Sequence, residues 1–546
     1  MKIVISRSAL LLFFVLFANI LTAQSAGGEG MSYFIYILLA VAVLIFLGLI
    51  IQVSDNLIAI EAKQSGVATE NNSFGIAPKM SDIIPQKVPG YVTDAPIYNL
   101  KKGYDILLEG GIEDASIHEA EASTFAIQPP NFLGVSPIPK MELEVGGEVK
   151  AGDVLFFDKK KPEIKYVAPV SGELIAINRA EKRSIAEVVI LADKEMKYKE
   201  LDPVGLESST REALVNFLME SGAWPLIRQR PFNVIAEPEA TPRDIFITTF
   251  DTAPLAPNLE VVVQGKEEAF QKGLDVLGKL TSGSVHLGLD GRTDDAPAAV
   301  FSQASGVHKK YFNGKHPAGN VGVQIHNVDQ ILAGDIVWTL GVQDVVTLGA
   351  LFTEQRFNAE RVVAVTGAEL KTPKYVKTFI GAKVGDLVKD NIEGEKVRII
   401  SGDVLSGKAV SEEQFLHFYD DQITVIEEGD YYEAFGWLLP IKPRPSVSRT
   451  FPNFLFPDLT FKADSNTHGE KRAFVVTGQY EQVMPMDIYL QHLMKSIIVN
   501  DFERMEGLGI YELVAEDVAL AEFVCTSKQP LQSILADGIQ VMREQG

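Results

Sequence analysis

The sequence predicts an α+β protein of several domains, preceded by apolar N-terminal segments. Three observations carry that expectation. Short period-two runs separated by glycine turns fill 141–177, a strand–helix–strand order fills 245–289, and helical spacing of apolar residues fills 486–546. A chain of 546 residues has room for about three or four domains of ordinary size.

Composition then excludes several classes of function. The formal net charge of −22 argues against nucleic-acid binding, which needs a basic face. It fits a body that stays dispersed or that docks on basic loops of a partner. Cys525 is the one cysteine. An intrachain disulfide, a four-thiolate zinc site and an iron–sulfur cluster held by this chain alone are therefore excluded.

At the N-terminus, Lys2 and Arg7 precede the short apolar core 9–21, and Leu21-Thr22-Ala23 offers small residues for cleavage. Residues 1–26 read as a signal peptide or a first apolar segment. Residues 33–53 are uncharged and long enough to cross a bilayer as a helix. The intervening 24–32 has no Lys or Arg, while basic residues precede it and resume at Lys63. The positive-inside rule places that loop outside and the body on the cytoplasmic side of the inner membrane. Residues 54–94, polar and proline-containing, read as a tether.

From Met141 the chain alternates Glu142, Glu144 and Glu148 with Leu143, Val145 and Val149, a strand pattern with one buried face. Gly146-Gly147 and Ala151-Gly152-Asp153 are turn signals. Val154–Phe157 and Ile164–Val167 flank a lysine-rich turn as a hairpin, and 168–172 reverses the chain into 173–177. Gly146-x-x-Val-x-x-Gly-Asp-x-Leu followed by Ala168-Pro-x-Ser-Gly-x-Leu resembles the biotinyl/lipoyl hammerhead, here placed over 95–200. In that family a lysine at the position of Lys161 carries the prosthetic group. Biotin carriers flank it with methionines, and lipoyl carriers with Asp before and Ala after. Lys161 instead stands between Lys160 and Pro162, and proline changes the turn that a modifying enzyme would read. Lys159–Lys161 is expected to be a basic hairpin tip that faces a partner.

Ser209-Thr210-Arg211-Glu212 signals a helix start, and Ala213, Leu214, Phe217 and Leu218 give it an apolar face up to Gly222. Arg228 and Arg230 follow. They suit a phosphate or carboxylate, and equally suit pairing with this chain's many acids. Strand, helix and strand over 245–249, 267–280 and 284–289 form a βαβ unit, so 205–358 is expected to be a Rossmann-like α/β domain. Neither G-x-G-x-x-G nor G-x-x-x-x-G-K-[ST] occurs, and a nucleotide site is unsupported. His316, Trp338, Gln343 and Asp344 could line a quinone or docking pocket, with hydrogen bonds to carbonyls and a flat apolar wall. His308, His316 and His326 lack the spacing of a zinc motif, and each is as well explained as structural. Arg361–Leu370, Tyr375–Phe379 and Gly381–Leu387 resemble a β-grasp, ubiquitin-like unit, expected over 359–475. Residues 476–546 are expected to be helical, with Glu516 and Asp517 opening a helix.

Taken in order, NLKKGYDILLEGG (99–111), ESGAWPLIRQRPF (220–232), HPAG (316–319), VWTLGVQDVVTLGALF (337–352), SGDVLSG (401–407) and EFVC (522–525) resemble the NqrA family, which belongs to the sodium-translocating NADH:quinone reductase. The resemblance spans about 95–546. It implies a cytoplasmic component of a six-subunit membrane complex that passes electrons from NADH to quinone and exports Na⁺. The partners would be the other five subunits, B to F, above all the quinone-end membrane subunit. Flavins and the iron–sulfur centre would sit in those partners, with no cofactor bound by this chain and no catalysis by it alone.

The family is also similar to the NADH-binding flavoprotein of respiratory complex I. Where that relative has a glycine-rich FMN loop, this chain has Trp224-Pro225-Leu226-Ile227-Arg228, too bulky for close backbone approach to a phosphate. The apolar N-terminal module departs from the family, which begins near Asn99. Two other classes compete: a membrane-anchored hammerhead adaptor of an export system, and a biotin- or lipoate-carrying subunit. No sustained heptads interrupt 141–177, as the adaptor would require.

Overall fold

The computed structural model describes residues 29–64 and 88–545, apart from 94, 203, 434, 437–441 and 449–450. The chain divides into two compact units, Met1–Val88 and Pro89–Gly546. The signal peptide expected at 1–26 and most of the tether, 65–87, lie outside the described residues.

In the first unit, helix α1 runs Glu29–Gln64. It continues through 54–64, where the sequence reads as a tether, because Leu57-Ile58-Ala59-Ile60-Glu61-Ala62 are residues a helix accommodates and the next glycine is Gly66. Among the described residues no helix is long and apolar enough to cross a membrane. The segment 33–53 is thus matched as a helix and not as a membrane crossing.

The second unit starts with strands that serve other sheets. β1 (Ile97–Asn99) lies parallel to β14 (His308–Asn313), and β2 (Ile117–Glu119) lies parallel to β17 (Lys374–Phe379). Next in sequence stands a sandwich. One sheet has the order β3 (Thr124–Ile127), β9 (Ile185–Ala192), β8 (Gly172–Arg179), β5 (Glu148–Val149); the other has β4 (Lys140–Met141), β6 (Val154–Asp158), β7 (Lys161–Val167). Gly146 and Gly152 sit at φ +92° and +95° in its turns, a conformation that costs glycine little. A register shift between Val154 and Phe156 breaks the alternation, so Leu155 and Phe156 are both fully buried.

The α/β part opens with helix α2 (Arg211–Glu220), whose first turn is capped by Thr210 Oγ1 accepting from the Ala213 N–H at 3.3 Å. Its seven-stranded sheet has the order β1-β14-β13-β12-β15-β10-β11, with β10 (Arg228–Arg230), β11 (Val234–Ile235), β12 (Asp244–Thr248), β13 (Val285–Asp290) and β15 (Val337–Leu340). β14, β13, β12 and β15 are mutually parallel, and β10 and β11 are antiparallel additions. In chain order the parallel strands read third, second, first, fourth, so the topology reverses between β12 and β15. Helices α3 (Glu267–Gly278), α4 (Val321–Val328) and α5 (Val342–Thr353) accompany the sheet. α3 and α5 touch through glycines: a Cβ on Gly349 would lie 1.7 Å from the Ala269 carbonyl, and one on Gly273 2.1 Å from that of Val345.

A six-stranded sheet follows in the order β19-β18-β20-β16-β17-β2, where β16 is Glu360–Thr366, β18 Val397–Ser401, β19 Lys408–Val410 and β20 Gln422–Glu427. β16 and β17 form an antiparallel hairpin, and β16 runs parallel to β20. Val384–Val388, which begins within the stretch 381–387, is a short helix. The C-terminal helices α6 (Leu490–Ile498), α7 (Ala515–Phe523) and α8 (Leu531–Gln545) share a core of Leu490, Leu493, Met494, Leu520, Leu531 and Leu535.

Candidate functional site

Lys161 is in a strand, not in the turn. The turn residues are Lys159 and Lys160, and Asp158 holds them: its Oδ1 accepts the Lys160 N–H at 3.0 Å, and its Oδ2 accepts that of Ser136 at 3.0 Å. The Lys161 ammonium lies 3.1 Å from Glu237 Oε1 of the α/β part. The expected partner-facing contact is thus intramolecular for Lys161, because Glu237 lies beside the hairpin, while Lys159 and Lys160 are exposed.

Four of the residues to which the sequence points are enclosed in the body. Trp338 is fully buried, edge-to-face with Trp224 at 5.5 Å, and forms no open wall. Gln343 points its amide at the backbone of β16: Nε2 donates to the Val362 carbonyl and Oε1 accepts the Val362 N–H, both at 2.9 Å. Asp344 Oδ1 pairs at 2.6 Å with Arg361, which also donates to Thr347 Oγ1 at 2.8 Å. Together they clamp α5 to β16. Burial pushes the carboxyl of neighbouring Asp421 up to about 6, against the pull of Arg361.

Arg230, the fourth, is buried and bridges to the C-terminal helices. It reaches Asp517 Oδ2 at 2.8 Å and Glu516 Oε1 at 2.9 Å, and donates to the Glu512 carbonyl. Gly322 makes room for it, since a Cβ there would lie 2.4 Å from both the guanidinium and Asp517. Arg228 lies over the Tyr419 ring at 5.1 Å. His326 is structural: Nε2 accepts the Asp487 N–H at 2.8 Å, so Nδ1 carries the proton it shares with Glu512 Oε2 at 2.7 Å.

His316 is buried in the loop that follows β14, beside the segments that follow β12 and β13. The C-terminal ends of β12, β13 and β14 deliver Asp251-Thr252, Arg292 and the loop 314–320 to one place, next to the switch point where α/β sheets bind ligands. Thr252 Oγ1 accepts the Gly319 N–H at 2.9 Å and lies 3.1 Å from His316 Nδ1. The His316 N–H donates to Asp105 Oδ1 at 2.8 Å. His316 Nε2 is buried and has no hydrogen-bond partner. Burial pushes the His316 pKa down, more strongly than Asp403, Asp105 and Glu516 push it up, so the ring is neutral at pH 7.

The charges around it are mostly negative. Asp251 is exposed to solvent yet ringed by protein, and this enclosure, together with Asp403 and Glu516, pushes its carboxyl up to about 6. Arg292 is held by Asp290, with Nε–Oδ1 2.9 Å and Nη2–Oδ2 2.6 Å. Arg230 is held by Glu516 and Asp517. Both cations are thus neutralised within the fold. Among the described residues no group of His, Cys, Asp and Glu is placed to hold a metal ion. Sequence reasoning misses Asp251, Asp403 and Glu516 as a site, because they come from three separate parts of the chain.

Three family models match the body: the NqrA N-terminal barrel-sandwich hybrid domain over 98–193, the NqrA second alpha/beta domain over 209–357, and the NQRA C-terminal domain over 362–412. The A subunit of the Na(+)-translocating NADH-quinone reductase of Shewanella frigidimarina is 38% identical over 451 residues, 82% of this chain and 99% of that protein. The chain belongs to the NqrA family. Members from Alcanivorax borkumensis and Neisseria meningitidis serogroup B are 37% and 36% identical, again with 82% of this chain and 99% of theirs covered. Among solved structures, a chain of an NAD⁺-reducing [NiFe]-hydrogenase is 12% identical, with a TM-score of 0.32 over 64% of this chain and 72% of that one. The barrel-sandwich match, 98–193, contains the β3–β9 sandwich.

Proposed function

We propose that the chain is the NqrA component of a membrane complex that oxidises NADH, reduces a quinone and translocates Na⁺. The observation that carries this reading is similarity along nearly the whole length of relatives bearing that name. The export-adaptor and carrier readings gain no such support. The fold is consistent with a non-catalytic role within the complex. Trp338, Gln343 and Asp344 pack and clamp domains, and Lys161 is ion-paired. Flavins and iron–sulfur chemistry then belong to partner subunits, a division that the single, buried Cys525 favours. Of the quinone candidates His316 remains, with a buried ring Nε2 that has no hydrogen-bond partner.

In the same reading the seven-stranded sheet is a Rossmann-like domain over 205–358 and the six-stranded sheet a β-grasp over 359–475. The hammerhead occupies 95–200 and the helical domain 476–546. The strand order third, second, first, fourth supports the first of these assignments. The body lies on the cytoplasmic side of the inner membrane, a placement supported by the basic residues before residue 24 and from Lys63 onward. Affinity capture of the tagged chain from detergent-solubilised membranes tests the proposal. It should recover the other subunits together with Na⁺-stimulated NADH:quinone reductase activity; a lone species would overturn it.

A further inference from the structure

The strip 468–477 is tied to two other segments of the C-terminal part. The Arg472 N–H donates to the Ser527 carbonyl at 2.9 Å, and a Cβ on Gly469 would lie 3.8 Å from Lys528 Cε. Further along, the Gln491 amide of α6 holds the strip: Oε1 accepts the Thr477 N–H at 2.9 Å, and Nε2 donates to the Val475 carbonyl. Lys495, one turn along α6 from Gln491, has its ammonium 5.5 Å from the centre of the Phe474 ring. Lys471, Arg472, Lys495 and Lys528 thus share one region of the surface, where none of them is fully buried.

The charge there is opposite to that of the chain as a whole. Segments 468–477, 490–499 and 526–530 contain these four cations and a single acid, Glu470, in a chain of net charge −22. Among the described residues none of the four has an ion-pair partner. Glu433 and Asp464, which face His468 at the start of the strip, are engaged by Arg444 and by the Tyr431 hydroxyl, each at 2.6 Å. Aliphatic side chains stand open beside the cations. Val475 and Val476 are 53% and 52% exposed, and Ile498 and Val499, at the end of α6, are 54% and 69% exposed. Gln491, Lys495 and Ile498 fall on one face of that helix by their spacing, while Leu493, Met494 and Ile497 are buried.

Free cations beside exposed aliphatic side chains suit a surface that is anionic outside and apolar just beneath. We propose that this region rests on the anionic headgroups of the cytoplasmic leaflet, with Val475, Val476, Ile498 and Val499 against the acyl boundary. The proposal rests on the reading above that the body lies on the cytoplasmic side of the membrane. That leaflet carries a negative surface potential, and each lysine or arginine close to it adds attraction that fades within a Debye length. The acidic remainder of the chain is repelled, which turns this region toward the bilayer. Cytoplasmic loops of membrane subunits are themselves rich in Lys and Arg, so charge favours lipid over such a loop as the occupant.

The test uses the whole complex, captured through a tag on this chain and placed in nanodiscs. The discs are made of phosphatidylcholine alone or of equal parts of phosphatidylcholine and phosphatidylglycerol. Cys525 is 1% exposed, so on this chain a bimane label goes to an introduced cysteine. Val476→Cys puts it in the region, and Val145→Cys, at a residue 58% exposed on the sandwich, is the control. Bimane at 476 should shift to the blue only in the phosphatidylglycerol discs, while bimane at 145 should not respond. The shift should be lost in about 1 M KCl, where the Debye length is roughly 3 Å, and in a chain that also carries Lys471→Glu and Arg472→Glu. A blue shift at 476 that is equal in both discs and in detergent means that a partner subunit covers the region, and overturns the lipid assignment. No shift in either disc overturns it too, and both results leave the complex reading intact. Capture of the chain without other subunits overturns both.

Discussion

The Lys161 ammonium stands 3.1 Å from Glu237 with both side chains about half exposed, and such a pair contributes little to stability. Lys161→Met should therefore shift stability by no more than about 0.5 kcal/mol in denaturant melts. Intact-mass measurement should give the bare polypeptide with no prosthetic increment at that residue. Asp251 behaves differently because its carboxyl is raised to about 6 from an ordinary value near 4. Between those values the folded state binds more protons than the unfolded chain, so this group lowers stability as pH rises from about 4 to 6 and adds no further slope above. Asp251→Asn should flatten that part of a Tm-against-pH series relative to wild type. Asp421, also raised to about 6, should leave a remaining slope of the same sign. An unchanged series in Asp251→Asn would refute the raised carboxyl.

At the scale of elements, one contact joins two domains and another packs two helices within the α/β domain. α5 joins β16 through Gln343 and Arg361, whose partners Val362 and Asp344 are buried. Arg361→Met leaves Asp344 as an uncompensated charge and should cost about 3–5 kcal/mol in equilibrium unfolding. α3 and α5 approach through Gly273 and Gly349, and Gly349→Ala puts a methyl group against the Ala269 carbonyl. Destabilisation of about 1–3 kcal/mol is expected, checked by thermal melting. Sequence periodicity finds the strands and helices around these contacts: the strand expected at Ile245–Thr249 is β12 at Asp244–Thr248, and the helix expected at 267–280 is α3 at Glu267–Gly278. It does not find the roles of Gln343 and Asp344, because a Gln-Asp pair on a helix reads the same whether it faces a ligand or another domain's backbone. The surroundings of His316 are half legible. Asp251 follows the end of a readable parallel strand, and strand ends are where such sheets bind ligands, whereas Asp403 and Glu516 reach it only by folding.

For the whole molecule, the body Pro89–Gly546 holds its own cores. Expressed from residue 89, it should fold and melt within about 4 °C of the full chain; aggregation, or a much lower Tm, would show that the N-terminal unit is required for folding. By itself the sequence determined the acidity, the absence of cysteine-based centres, the apolar N-terminal stretch, the order of sandwich, α/β, second sheet and helices, and the family. Each follows from composition, local periodicity or motifs read along the chain. Only the tertiary structure decided which polar residues are structural and which remain available. It sent β1 and β2 into distant sheets, closed Arg230 against Asp517, paired Lys161 with Glu237, and set Asp105 and Thr252 against His316. The physical reason is that burial and charge compensation depend on neighbours far apart in the chain, which one-dimensional spacing does not encode.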